Sequence, residues 1–429
     1  MANKGTPTII EGKKHFQSFI YEGNGGGQRV GRFIPFTDSG TIAKSCIFND
    51  DDTPTLSRTI GSASSTTTFT ISCWVKRGNT GLLRGIWSRE GANDNNELRL
   101  YFDSSNRLNW SYYPSGDTAK LTTNRTFEDT SKWYHIVAVS DTTNATEAYR
   151  WRLYVDGDEI SSFATSTYPS QSTSIALFSS DSYSEYIGRA RSVSTTSFDG
   201  YLAEFNIVDG SALTPSTFGL TDTSTGRWIP KTLTGITYGN TGNRLTFENS
   251  VAIQNIGYDT SGNGNNFTVS NLAIADVVPD SPTQNYATLS PFVISNAPTL
   301  SQGHLKALAS TNLKYGMTAS TLSWDTSDTT GYYAEFRKND SSSIGASFFN
   351  IGCVHTDGKN SDLDHSNADN PTDGSLVWYE NGNMSISTRG DGTRLQPGAG
   401  HIGAYGNTGD IMMIAAKGDQ VYFGNASKG

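Results

Sequence analysis

The residues best suited to chemistry are aromatic rings interleaved with amide, carboxylate and guanidinium groups. Trp87, Arg89, Asp94, Asn95, Asn96, Trp110, Tyr112 and Tyr113 fall within one short stretch, and Tyr183 and Tyr186 make a second aromatic group. Aromatic faces stack on pyranose rings, and neighbouring Asn, Asp and Arg side chains bond hydroxyls. That combination suits carbohydrate binding. Two other stretches offer hard oxygen ligands: Asn49-Asp50-Asp51-Asp52, and Asp357, Asn360, Asp362 and Asp364 flanked by His355 and His365. Hard cations take several loop oxygens, so calcium is the one cofactor these stretches admit. Neither follows EF-hand spacing, and the histidine pair lacks a zinc pattern.

No catalytic residues emerge from the spacing. Glycoside hydrolysis needs two carboxylates about 5–5.5 Å apart for retention or about 6.5–9.5 Å for inversion. Glu90 and Glu97 are separated by Gly91-Ala92-Asn93-Asp94-Asn95-Asn96, which reads as a loop. A G-x-S-x-G elbow and an H-E-x-x-H run are both absent from the sequence. The six histidines are scattered, and His135, in a strand after Trp133, reads as a packed residue. The expectation is a binding protein rather than an enzyme.

The elements that position these residues are strands. The chain has 429 residues, enough for two or three domains. It carries 44 Gly, 20 Tyr, 20 Phe and 8 Trp, a turn-rich composition with the aromatics that strands favour, and no segment reads as a long helix. The net charge of −9 and the lack of a Lys/Arg cluster speak against a nucleic-acid partner. Cys46, Cys73 and Cys353 make no disulfide framework and read as buried thiols. No signal-peptide core follows Met1, and no apolar run nears the ~20 residues that span a bilayer, so membrane insertion is not expected.

Residues 1–40 read as an arm hinged at Gly23-Asn24-Gly25-Gly26-Gly27, a cluster that fits neither GxGxxG nor a phosphate loop. Strands follow, among them Ile71 to Lys76, Leu98 to Phe102 and Tyr134 to Val139, with period-two alternation. Trp74 and Trp133 fall at core positions. Trp151 to Val155, Asp156-Gly157, then Asp158 to Ile160 read as a hairpin whose turn needs positive φ. The polar turn from Asp259 to Phe267 closes this first domain, 41–275, and Val277-Val278-Pro279-Asp280-Ser281-Pro282-Thr283 reads as a linker. Residues 276–429 hold that linker and a second strand-rich domain, with Gly331 to Phe336, Phe348 to Val354, Ile411 to Ala415 and Val421 to Phe423.

Trp133-Tyr134-His135-Ile136-Val137, Leu153-Tyr154-Val155-Asp156-Gly157, Tyr186-Ile187-Gly188, Phe198-Asp199-Gly200-Tyr201-Leu202-Ala203-Glu204-Phe205 and Ala212-Leu213-Thr214-Pro215 form an ordered set. In order and spacing it resembles the laminin-G-like branch of the concanavalin A-like lectin/glucanase superfamily, over roughly residues 44–220. The resemblance implies an all-β fold: antiparallel jelly-roll sandwiches. The glucanases of that superfamily share an E-x-D-x-x-E run, which this sequence lacks. The second domain resembles a SPRY-type sandwich, though such domains run on past the strand equivalent to Val421-Tyr422-Phe423. Arm, laminin-G-like domain, linker and SPRY-like domain together resemble virion surface proteins of tailed bacteriophages. That likeness implies a fibre or decoration protein on the virion surface. Its partners would be other virion proteins through the arm, host surface glycans, and further copies of itself in a homo-oligomer.

Overall fold

The computed structural model describes residues 40–91, 96–113, 119–175, 183–190, 194–223, 225–249, 251–295, 298–308, 317–321, 323, 331–338, 350–354, 375–379, 384–387, 394–395, 409–418 and 420–426. Its first part is a sandwich of two antiparallel sheets. The first sheet orders β10 (Asp158–Glu159), β9 (Trp151–Val155), β8 (Trp133–Asp141), β3 (Thr68–Arg77), β13 (Gly200–Asp209), β1 (Ser45–Phe48) and β18 (Val277–Val278), and β16 (Asn243–Leu245) also pairs with β13. The second orders β11 (Phe163–Thr167), β7 (Ala119–Thr126), β6 (Arg107–Tyr113), β5 (Glu97–Phe102), β4 (Arg84–Glu90), β12 (Ser184–Ile187), β2 (Thr55–Thr59) and β17 (Thr268–Ser270). A hairpin of β14 (Gly219–Thr221) and β15 (Trp228–Pro230) stands apart from both.

Period two explains the layers. Leu98, Leu100 and Phe102 of β5 join Leu108, Trp110 and Tyr112 of β6 in the core, while the residues between them face the other way. Trp110 stacks on Trp151 of the opposite sheet with centroids 4.1 Å apart and planes 8° apart, so one aromatic pair ties the two sheets. Each such ring contributes roughly 4–6 kcal/mol of burial at most. Asp156 and Gly157 have φ of 55° and 88°, the positive values their two-residue hairpin requires. Cys46 and Cys73 are buried free thiols, as their count implied.

The outer face of the first sheet is itself apolar and covered. Trp74 and Trp133 are buried there with Ile42, Ile47 and Tyr201, against Trp228 and Val278, rather than between the sheets. His135 lies in the same layer, stacked on Trp74 at 4.7 Å and on Trp228 at 5.9 Å. An indole N–H can only donate, so Nδ1 of His135 accepts from Trp228 (2.9 Å) and Nε2 donates to Ser72 Oγ (2.9 Å). Burial pushes its pKa down to about 3, and the ring is neutral.

The segment read as a linker is part of this cover. Val277 and Val278 pair with Cys46 and Ser45. Lys76 Nζ, fully buried, bonds Asp280 Oδ2 (2.8 Å), Asn285 Oδ1 (2.9 Å) and the Tyr286 carbonyl (3.0 Å). Trp133 Nε1 donates to Asp280 Oδ1 (3.0 Å), and Tyr201 donates its hydroxyl to the Gly303 carbonyl (2.7 Å). A buried ammonium in mid-strand requires a carboxylate, and Asp280 supplies it. The segment with the linker-like Asp-Ser-Pro composition therefore packs on the first sheet.

Downstream, Gly331–Arg337 pairs with Ile411–Lys417, which pairs with Gln420–Asn425. Asn350–Val354, Ser375–Tyr379, Met384–Ser387 and Arg394–Leu395 form a four-stranded antiparallel sheet. Ile351, Met412 and Ile414 are buried together. The chain is thus all-β, with antiparallel strands throughout its described residues. The arm, apart from Gly40, lies outside the described residues.

Candidate functional site

The outer face of the second sheet differs in kind from that of the first. Side chains alternating with the core residues of β4 to β7 and β12 are set in rows by strand register. One row runs Tyr186, Ser88, Arg99, Ser111, Lys120. Beside it run Ser184, Glu90, Glu97 and Tyr113, and on the other flank Tyr101, Asn109 and Thr122. Nine of these twelve positions carry a ring-free group able to bond a hydroxyl; the other three are Tyr186, Tyr113 and Tyr101.

Arg99 sits at the centre. Its guanidinium lies 5.1 Å from the Tyr101 ring and 5.0 Å from the Tyr113 ring, and its Nε is 3.1 Å from Glu97 Oε2. Two rings and a carboxylate fix a side chain that would otherwise be mobile. Ser88 donates to Glu90 Oε1 (3.3 Å), and Thr122 donates to Asn109 Oδ1 (2.6 Å). Arg189 lies over the Tyr186 ring at 3.9 Å. Arg99, Tyr101, Asn109 and Ser111 are buried, whereas Tyr113, Lys120, Tyr186 and Arg189 are half-buried. The face is therefore a polar layer, buried at its centre, with half-buried rings and cations at its margins. It can stack sugars on its rings and bond hydroxyls along its rows.

Glu90 and Glu97 lie directly opposite each other across the β4–β5 pair. The sequence held them apart by a loop. The hairpin instead makes them cross-strand neighbours, whose Cβ atoms stand about 4.5–5.5 Å apart.

Four of the sequence-derived sugar candidates point into the protein. Trp110 and Tyr112 alternate inward on β6, where Trp110 meets Trp151. Trp87 is also core, because a register irregularity between Gly85 and Trp87 turns both Ile86 and Trp87 inward. Its indole donates to Glu185 Oε1 (3.0 Å), and Arg89 Nε bonds the same oxygen at 2.7 Å. Arg58 pairs with Glu185 Oε2 at 2.6 Å. Burial alone would raise the Glu185 carboxyl, but Arg58 and Arg89 hold it below the usual range. Arg89 thus neutralises a buried carboxylate, and with no exposed surface it cannot touch a glycan.

Two other candidates, Asn96 and Tyr183, meet at the β4–β5 hairpin, with Tyr183 packed against the core between the sheets. Gly91 donates its N–H to the Asn96 carbonyl (2.9 Å), and a Cβ placed on Gly91 would meet Tyr183 Cε1 at 3.0 Å and Asn96 Cβ at 3.2 Å. Asn96 and Tyr183 are therefore neighbours beside Glu90, Glu97 and Tyr113. Asp94 and Asn95 lie outside the described residues, as do Asp357, Asp362 and Asp364.

The stretch from Asn49 to Asp52 is used for loop closure. Asn49 Nδ2 donates to Asp52 Oδ2 (2.7 Å), Asn49 Oδ1 accepts the Gln302 N–H (3.0 Å), and Asp50 pairs with Arg84. Asp51 is exposed in the same single turn. Among the described residues, no three His, Cys, Asp or Glu side chains converge as ligands for a metal ion. The calcium expectation for Asn49, Asp50, Asp51 and Asp52 gives way to these protein contacts.

Sequence reasoning missed Arg99, Tyr101, Ser111, Lys120 and Arg189. For the first two the signal was present, since Glu97, Arg99 and Tyr101 alternate with Leu98, Leu100 and Phe102.

No curated protein matches the chain. Among solved structures, it is similar to a native heptameric SAP-like pentraxin from Limulus polyphemus, at 17% identity, 41% of this chain, 80% of the pentraxin and a TM-score of 0.31. It is similar to the CBM40 of Ruminococcus gnavus IT-sialidase bound to α2,3-sialyllactose, at 13% identity, 32% of this chain, 73% of that chain and a TM-score of 0.25. It is also similar to tailspike protein 2 of the Escherichia coli O157:H7 bacteriophage CAB120, at 11% identity, 45% of this chain, 26% of the tailspike and a TM-score of 0.30. Residues 50–217 match the family model of the concanavalin A-like lectin/glucanases superfamily.

Proposed function

We propose that the chain is a virion surface protein of the tailed-bacteriophage kind, a fibre or decoration component that presents its lectin-like sandwich to host cell-surface glycans. The observation that carries this reading is the outer face of the second sheet, a polar layer flanked by tyrosine rings. In this reading residues 1–40 attach the chain to other virion proteins, the strands after residue 330 form the SPRY-like second sandwich, and copies assemble as a homo-oligomer. In this reading Glu97 and Glu90 serve binding, Glu97 held by Arg99 and Glu90 by Ser88.

The test is retention of bacterial cells and of arrayed envelope glycans by the full chain displayed at high density on beads. Saturable retention, competed by a soluble sugar and lost in Tyr113→Ala/Tyr186→Ala, is expected. Absence of any retention would leave a purely structural decoration protein. The placement of Glu90 opposite Glu97 favours a second reading, glycoside hydrolysis. Sugar release that disappears in both Glu90→Gln and Glu97→Gln would replace binding with catalysis.

A further inference from the structure

We propose that the ligand of this face is an acidic glycan, laid across the strands of the second sheet and read by Arg189, Arg99 and Lys120. The inference rests on the glycan-binding reading and adds the charge class of the ligand. The chain as a whole is acidic, at −9, yet the central row of this face bears cations at both ends and in its middle. Arg99 has Glu97 as its counter-charge. Among the described residues, no carboxylate pairs with Lys120 or with Arg189. Both are half-buried, where an uncompensated cation is less well hydrated than on open surface, and an anion arriving there recovers that cost.

Ser111 Oγ, fully buried between Arg99 and Lys120 in the row, has no hydrogen-bond partner among the described residues, so the row offers no competing internal acceptor at that position. A neutral sugar needs amide and hydroxyl partners and gains nothing from Lys120 and Arg189 that water does not supply. A carboxylate gains charge-assisted bonds from each.

Spacing sets the layout. Neighbouring strands stand about 4.8 Å apart, so the Tyr186–Arg189 pair, Arg99 and Lys120 follow one another at about 10 Å. That interval is comparable with two linked pyranose rings. The row therefore suits a polyanionic glycan, which presents a negative charge at every such interval.

The experiment uses the full chain on beads, with oligogalacturonate and colominic acid as carboxylate probes, dextran sulfate as a sulfate probe, and methyl-esterified oligogalacturonate and dextran as neutral ones. A free acid should bind at least about tenfold more tightly than its own methyl ester, a difference of about 1.4 kcal/mol. Its affinity should fall steeply with salt, and Lys120→Gln and Arg189→Gln should each weaken it several-fold with an unchanged melting temperature. Preference for dextran sulfate over both carboxylate probes would keep the acidic class and assign its charge to sulfate. Equal binding of the ester, or preference for dextran, overturns the acidic ligand and leaves glycan binding standing. Retention of no glycan at all overturns both.

Discussion

Tyr113 and Trp110 lie three residues apart on β6 and do opposite work. Trp110 is locked against Trp151 in the core, while Tyr113 shares the Arg99 guanidinium at the edge of the polar face. Trp110→Ala should cost about 3–5 kcal/mol and lower the melting temperature sharply. Tyr113→Ala should leave thermal stability nearly unchanged and reduce glycan retention several-fold. Calorimetry beside bead retention separates the two, and a Tyr113→Ala protein that melts early would remove this ring from the binding face. Two buried titrating groups give a second residue-scale prediction. Burial, aided by Asp50, raises Asp199 to about 7, so between about pH 4 and 7 the native state holds a proton that the unfolded chain releases. Stability from this group is present at low pH and is lost as pH rises through about 7. His135 runs the other way. With its value pushed down to about 3, the unfolded chain takes up a proton first, and stability falls as pH drops from about 6.5 towards 3. Asp199→Asn keeps the acceptor for the Asn79 N–H and removes the charge. The variant should be more stable near pH 8 by on the order of 2 kcal/mol, and its stability should rise between about pH 5 and 6.5, the trend His135 shares with His304, which burial lowers to about 4. Urea denaturation at three pH values reads both; a variant less stable than the parent near pH 8 contradicts the assignment.

At the scale of elements, β18 and the chain after it clasp the first sheet. Lys76 and Asp280 are both buried, and Asp280 also holds the Trp133 indole. Removing one partner strands a buried charge, so Lys76→Ala or Asp280→Ala should each cost about 3–5 kcal/mol. Lys76→Met/Asp280→Leu, which removes both charges and keeps volume, should recover most of that loss. A double-mutant cycle measures the coupling, and additive single costs would mean the pair is not coupled. These elements also show what a sequence reader can see. Strands β3, β5 and β8 and the Asp156-Gly157 turn follow from alternation and turn chemistry, which are local properties. Which layer a buried ring joins is not local. Trp74 and Trp133 look like core and are buried, but under a cover that includes Trp228, Val278 and Asp280, all far downstream. On β4 one irregularity at Gly85 reverses the parity of every later side chain, so Trp87 and Arg89 turn inward and Ser88 and Glu90 outward. The row of Arg99, Ser111 and Lys120 is not local either, because it exists only once three strands are in register.

Taken whole, the sandwich has one sheet whose outer face is sealed by its own chain and one whose outer face is polar. If the second sheet binds as proposed, the sealed first sheet does not compete with it for surface. The cover is also what makes the lectin-like unit self-sufficient. A fragment of residues 40–308 contains both sheets, the β14–β15 hairpin, Asp280 and Gly303, whereas one of residues 40–275 leaves Lys76 without its carboxylate and Tyr201 and Trp133 without their acceptors. Three unsatisfied buried groups at about 1–3 kcal/mol each approach the whole stability of an ordinary domain, about 5–15 kcal/mol. The longer fragment should unfold cooperatively, and the shorter should aggregate or melt far lower. The longer fragment should also bind in proportion to its valency. A single shallow sugar site near millimolar contributes about −4 kcal/mol, and linked copies raise avidity by roughly 10²–10⁴ without new contacts. Retention of glycan by 40–308 on beads but not by the monomer in solution is the expected pattern. A monomer binding as tightly as the beads would mean that one face suffices and that display in many copies serves some other purpose.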